Sequence, residues 1–216
     1  MSEEKESKFE KFARGKGVMN LPNKLTISRM IMIPVFIVFF YVQFTGHYLV
    51  ALAVFAVASL TDLFDGKIAR KYNLITNLGK FLDPIADKVL VLSALVVMLT
   101  VPAIFTAGLG EWAIIVAGCG VALILAREII VSGFRMVAAS TGMVIAADVI
   151  GKYKTTTQLI SIVVLLIGLC VGEFTGEHLA VTVINYIGLG FFAVSVVLTV
   201  ISGINYLVKN REVLKT

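Results

Sequence analysis

Four aspartates, Asp62, Asp65, Asp83 and Asp87, lie in or beside apolar runs long enough to cross a bilayer. Insertion scales assign about 2.5–3.5 kcal/mol to one aspartate at the centre of a membrane helix, so four need compensation for roughly 10–14 kcal/mol. On a helix, Asp62, Asp65, Gly66 and Ala69 stand at i, i+3, i+4 and i+7, which makes one stripe. Gly79, Asp83 and Asp87, at i, i+4 and i+8, make a second. A short connection makes the two helices antiparallel neighbours whose stripes can face each other. Four converging carboxylates repel unless cations lie between them, and hard oxygen ligands favour Mg²⁺, Mn²⁺ or Ca²⁺ over zinc. Two such ions side by side form a clamp suited to displacement at phosphorus. The bland alternative is that the acids only solvate a helix end.

The neighbours of the aspartates fit the same chemistry. Gly66 and Gly79 remove side chains from both stripes, so a flat base or a phosphate can approach the backbone. Ala69 is small in the same way, although helix packing alone accounts for it. Arg70 can pair with a phosphate in the bidentate manner that lysine cannot. Pro84, between Asp83 and Asp87, is expected in the first turn of its helix, where it carries no penalty.

The elements that must position these groups are membrane helices. The chain has 216 residues, of which 58% are hydrophobic, and its mean hydropathy is +0.95. No soluble domain of this size hides so much apolar surface. The reading is an all-α integral membrane protein with six transmembrane helices, near residues 25–44, 47–70, 79–101, 111–139, 151–171 and 181–208. The fourth and sixth runs exceed the minimum length, so tilt or projection beyond the lipid is expected. Residues 1–20 read as a polar N-terminal segment, either amphipathic on an anionic surface or a disordered tail, with no cleavable signal peptide expected. Residues 21–210 form one six-helix catalytic domain in this reading, and 211–216 a short tail. Cys119 and Cys170 fall inside apolar runs and read as packing residues.

Charge sets the orientation. The candidate outer loops at 45–46, 102–110 and 172–180 contain no Lys or Arg; their charged or titratable residues are Glu173, Glu177 and His178. Lys and Arg fall in the tails, the other loops and nearby helix ends, which places both termini in the cytoplasm. Helix rise then gives depth: roughly 21 Å from Tyr48 to Asp62 and roughly 22 Å from Trp112 to Arg127. In an apolar layer of about 30 Å both lie in the inner third. Polar groups from four spans are expected at one depth, facing the cytoplasm, where a lipid head group would meet them.

Three further groups of residues belong to that layer. Asn23, Thr26 and Arg29 stand at successive three-residue steps. Either they line the nucleotide or phosphate pocket, or they are an N-cap, a backbone-bonded hydroxyl and a snorkelling anchor. In REIIVSGFR, Arg127 and Arg135 at i, i+8 can share a face, with Glu128 beside Arg127. Buried arginines need an anion, and a phosphate-bearing acceptor would be one; the alternative leaves Arg127 paired only with Glu128 and Arg135 snorkelling. In GKYKTTTQ, Lys152 and Lys154 flank Tyr153, and Thr155 to Gln158 continue inward like the wall of an anion pocket.

The run D-x-x-D-G-x-x-A-R-x8-G-x-x-x-D-x-x-x-D, filled by Asp62, Asp65, Gly66, Ala69, Arg70, Gly79, Asp83 and Asp87, resembles the signature of the CDP-alcohol phosphotransferases. These are integral membrane enzymes of phospholipid synthesis. N-x-x-T-x-x-R at Asn23, R-E-I-x5-R at Arg127 and G-K-x-K-T-x-x-Q at Gly151 are similar to the glycerol-phosphate-using members. The family-like segment begins only around Met19. The resemblance implies transfer of a phosphatidyl group from CDP-diacylglycerol to sn-glycerol 3-phosphate, giving phosphatidylglycerophosphate and CMP. It implies two metal ions, Mg²⁺ or Mn²⁺, on Asp62, Asp65, Asp83 and Asp87, with Asp87 as the base for the attacking hydroxyl. It also implies that Gly66, Ala69, Arg70, Gly79, Asn23 and Thr26 bind CDP, and that Arg127, Arg135, Lys152, Lys154 and Arg29 bind the acceptor phosphate. The expected partners are these two substrates, membrane lipid and a second copy of the chain, and no nucleic acid. Rival readings are another acceptor on the same fold, inositol phosphate or phosphatidylglycerol, and a divalent-cation transporter. A transporter would place its acids at mid-membrane in broken helices, and it leaves the basic cluster unexplained.

Overall fold

The computed structural model describes residues 20–71, 77–106, 110–140, 149–176 and 178–210, with the side chains of 22, 62–71, 77–81, 83–84, 137, 139–140 and 149 outside that description. Both expected tails, 1–19 and 211–216, also lie outside it. The described residues form seven helices: α1 (Leu21–Tyr41), α2 (His47–Lys71), α3 (Asn77–Met98), α4 (Pro102–Thr106), α5 (Trp112–Ser140), α6 (Val149–Thr175) and α7 (His178–Lys209). Four have stretches long and apolar enough to cross a membrane, Asn23–Tyr41, Trp112–Met136, Ile150–Thr175 and His178–Lys209. The described apolar part of α2, His47–Thr61, is shorter. The chain is therefore an all-helical, multi-pass membrane protein. It divides into two compact units, Met1–Ser93 and Ala94–Thr216, with the last turn of α3 in the second.

In the first unit α1 starts at Asn20, whose side chain accepts the Asn23 N–H at 3.0 Å and so satisfies one orphan donor of the first turn. The chain reverses at 42–46, where Gly46 takes a φ of +91°, a conformation that costs most other residues strain. Phe36 meets Phe55 at 5.8 Å and Phe40 meets Tyr48 at 5.3 Å between ring centroids. Those pairings run in opposite directions along the two helices, so α1 and α2 are antiparallel and held by aromatic rings.

In the second unit α6 and α7 form a close antiparallel pair. The Ser161 hydroxyl donates to the Gly188 carbonyl at 2.9 Å. A Cβ on Gly188 would stand 2.6 Å from Leu165 Cδ2, so only hydrogen fits there and the backbones approach as small residues allow. The buried stripe of α7 is Asn185, Gly188, Phe192, Ser195, Thr199, Ser202 and Tyr206, alternating steps of three and four. Ser195 and Thr199 donate to carbonyls of their own helix at 2.7 and 2.6 Å, which lets hydroxyls lie inside an apolar pack. Helix α5 runs parallel to α7. Phe192 and Val196 fill the space beside Gly120, and farther along Val131, Phe134 and Ala138 pack on Tyr206.

Two connections differ from the sequence reading. The segment expected as an outer loop at 102–110 begins with α4, because Pro102 opens a helical turn and Ile104 and Phe105 are buried. Most of the loop expected at 172–180 is helical, since α6 runs to Thr175 and α7 starts at His178. Both helices continue toward it, and Gly176, at φ +62°, turns the chain.

Candidate active site

The acidic segment lies within the first unit. Asp62, Asp65, Gly66, Ala69 and Arg70 all belong to α2, and Gly79, Asp83 and Asp87 to α3. Both helices are continuous through these positions, so the spacing argument for two stripes rests on real helical backbone. Asp87 is half-buried; the side chains of the other seven lie outside the described residues. Pro84 departs from its expected place. Helix α3 begins at Asn77, so Pro84 lies beyond the first turn, where it has no N–H to give the carbonyl of Lys80. The donor set, four carboxylates with no histidine or cysteine among them, fits a hard divalent cation. Among the described residues, no three His, Cys, Asp or Glu side chains gather closely enough to hold a metal ion.

On α1 the structure departs from two parts of the cap-and-anchor reading of the polar stripe. Asn20 is the N-cap, so Asn23 is released from that role. Asn23, Thr26 and Arg29 are buried, with Arg29 at 0% exposure, so Arg29 is no snorkelling anchor reaching to the surface. Three polar side chains on one face of an apolar helix are turned into the protein.

The second unit brings together a cation cluster from three helices. Glu128 Oε1 accepts from Arg127 Nη1 at 3.0 Å and from Lys154 Nζ at 2.6 Å. Arg127 Nη2 also donates to the Ser202 hydroxyl of α7 at 3.0 Å, while its Nε is buried with no partner among the described residues. Two glycines border this side chain, Gly203 closely at its stem and Gly151 in ordinary contact with its guanidinium. A Cβ on Gly203 would lie 3.2 Å from Arg127 Cγ, and one on Gly151 would lie 3.6 Å from Nη2. One carboxylate oxygen therefore takes hydrogen bonds from two cations, Lys154 buried and Arg127 partly so.

Arg135 lies farther along α5. Its Nε donates to the Tyr206 hydroxyl at 3.4 Å, and its guanidinium carbon stands 5.6 Å from the centre of that ring. The two arginines thus dock on consecutive turns of α7, at Ser202 and Tyr206. Lys152 is exposed and outside the cluster, whereas Lys154 is 3% exposed and inside it. Arg29 belongs to the first unit. Sequence reasoning missed Ser202, Gly203 and Tyr206; the alternating three-and-four spacing of polar residues through an apolar helix was the signal that could have found them.

A multi-pass helical membrane protein with an acidic segment on two helices and a buried basic cluster on three others is the class defined so far. The family model for CDP-alcohol phosphatidyltransferases matches residues 19–201. A Bacillus subtilis CDP-diacylglycerol–glycerol-3-phosphate 3-phosphatidyltransferase is 38% identical over 214 residues, covering 92% of this chain and 99% of its own length. The proteins of that name from Salmonella typhimurium and Rickettsia bellii are 37% and 35% identical, each covering 87% of this chain and 93% of its own length. The chain belongs to the CDP-alcohol phosphatidyltransferase family.

Proposed function

We propose that this protein transfers the phosphatidyl group of CDP-diacylglycerol to sn-glycerol 3-phosphate. The observation that carries the choice of acceptor is the Arg127–Glu128–Lys154 trio, whose two cations suit the dianionic phosphate of a phosphorylated acceptor better than uncharged inositol or the single carboxylate of zwitterionic serine. The names of the similar proteins agree with it. The attacking hydroxyl oxygen bonds to the phosphatidyl phosphorus as the bond from that phosphorus to the bridging diphosphate oxygen breaks. CMP departs with the bridging oxygen. Asp87 takes the proton of the attacking hydroxyl, and Arg70 steadies the charge on CMP. Mg²⁺ or Mn²⁺ held by Asp62, Asp65, Asp83 and Asp87 would supply positive charge for the diphosphate. Gly66, Ala69, Gly79, Asn23 and Thr26 receive the CDP part, and Arg127, Lys154 and Arg135 the acceptor phosphate, with Lys152 and Arg29 as further cations.

The same reading takes α2 and α3 as two more spans, six in all. At 25 and 22 residues they are about 37 and 33 Å long, enough for the apolar layer. The absence of Lys and Arg from 45–46, 102–110 and 172–180 supports both termini and the site facing the cytoplasm of the cell membrane. A homodimer is inferred from the family resemblance. The test is CMP release from CDP-diacylglycerol by purified protein in detergent with Mg²⁺ or Mn²⁺. Parallel samples offer glycerol 3-phosphate, inositol phosphate, phosphatidylglycerol and serine. Release with glycerol 3-phosphate alone, lost on chelation, is expected; release only with another acceptor overturns the reading of the basic trio.

A further inference from the structure

Gln158 lies one helical turn beyond Lys154 on the same face of α6 and has 0% exposure. Neither its Oε1 nor its Nε2 has a hydrogen-bond partner among the described residues. A buried carboxamide left unanswered is costly, and native proteins rarely keep one without an ordered water or a ligand. The hydroxyls of this helix pair do not answer it. Ser161, Ser195, Thr199 and Ser202 donate to the carbonyls of Gly188, Phe192, Ser195 and Thr199 respectively. Gln158 closes the G-K-x-K-T-x-x-Q run, and neither Arg127, Glu128 nor Lys154 bonds it.

We infer that the Gln158 carboxamide receives the secondary hydroxyl of the acceptor, an inference that rests on the reading of the acceptor as glycerol phosphate. A carboxamide presents N–H donors and an acceptor oxygen together, so its complement is a group that also donates and accepts, which is a hydroxyl. A phosphate would engage only the N–H side, and Arg127 and Lys154 already offer it charge. Glycerol phosphate has three polar parts: the phosphate, the primary hydroxyl that attacks, and the secondary hydroxyl between them. In the proposed reaction the phosphate goes to the cation cluster and the primary hydroxyl is consumed in the attack. Gln158 accounts for the third. Lys154 and Gln158 are separated by about 6 Å of helix rise, a span that two side chains close on one small molecule. The residue thereby sets specificity: it selects a phosphorylated polyol over a phosphorylated simple alcohol.

The test compares sn-glycerol 3-phosphate with 3-hydroxypropyl phosphate, which keeps the phosphate and the attacking primary hydroxyl but lacks the secondary one. CMP release from CDP-diacylglycerol is read for both. Wild-type kcat/KM should fall at least about thirtyfold for the deoxy acceptor, because a site built for a hydroxyl is left unpaired without it. Gln158→Leu should lose a similar factor on glycerol 3-phosphate and stay within about threefold of wild type on the deoxy acceptor, with KM for CDP-diacylglycerol unchanged. Equal use of both acceptors by the wild type overturns the inference without any variant, so misfolding of Gln158→Leu leaves the question decidable. An equal loss on both acceptors in Gln158→Leu overturns it too, since that is the mark of a packing role. Wild-type protein that transfers to neither overturns the acceptor reading and this inference together, whereas transfer to both alike overturns this inference alone.

Discussion

Replacing Glu128 by glutamine keeps the shape of the side chain and removes the single negative charge between two buried cations. Its Oε1 stands 2.6 Å from Lys154 Nζ and 3.0 Å from Arg127 Nη1. All three side chains are at most 15% exposed, so solvent screens little of the loss. Breaking a buried pair by removing one partner costs about 3–5 kcal/mol. For a chain of this length a melting midpoint moves about 2–4 °C per kcal/mol, so Glu128→Gln should melt about 6–20 °C lower in detergent. A bound phosphate supplies the missing anion. At a hundred times its dissociation constant a ligand adds about 2.7 kcal/mol, enough to restore more than half of the loss. Glycerol 3-phosphate, and more weakly inorganic phosphate, should therefore raise the midpoint of Glu128→Gln more than that of the wild type. Melting curves with and without each anion, followed by intrinsic fluorescence, decide it. An unchanged midpoint would show that Glu128 does not hold the cations. A lowered midpoint with identical anion shifts in both proteins would show that the cluster does not receive phosphate.

Other changes test neighbouring parts of the argument. Asp87→Asn should leave CDP-diacylglycerol binding nearly intact while reducing turnover at least about a hundredfold, measured as CMP release; normal turnover refutes the base assignment. Tyr206→Phe removes the hydroxyl that accepts from Arg135 Nε but keeps the ring beneath the guanidinium. It should raise KM for glycerol 3-phosphate about twofold to tenfold at unchanged kcat, as expected for about 0.5–1.5 kcal/mol of hydrogen bond. Gly188→Val pushes a side chain into Leu165 and should destabilise the α6–α7 pair by about 1–3 kcal/mol, read as a lower melting midpoint with or without substrates.

What could be read from sequence was local. The aspartate spacing, the apolar runs and the turn glycines depend on residues a few positions apart, and α2 and α3 are helical where that spacing requires. Boundaries slipped where a neighbouring element decided them. Asn20 took the cap that Asn23 was a candidate for, α3 began early enough to carry Pro84 past its first turn, and α4 folded where a loop was expected. Partners distant in sequence were out of reach. Arg127 and Ser202 are 75 positions apart, and their meeting depends on the register of α5 against α7, which packing sets. The same holds for Lys154 choosing Glu128 while Lys152, two residues earlier, faces outward.

The lock between Gly188 and Leu165 has a consequence for how the protein lives in bilayers of different thickness. Helix α7 is 32 residues, about 48 Å, so in an apolar layer of about 30 Å it leans or projects beyond the lipid. Because α6 is keyed to α7 at Gly188 and Ser161, the two cannot slide past each other by a turn as they lean. The key sits roughly 21 Å along α7 from Ser202, so it transmits the tilt to the basic cluster as a rotation of the whole pair. Where lipid thickness changes the lean, the keyed pair turns together and the spacing between Lys154 on α6 and Ser202 on α7 stays fixed.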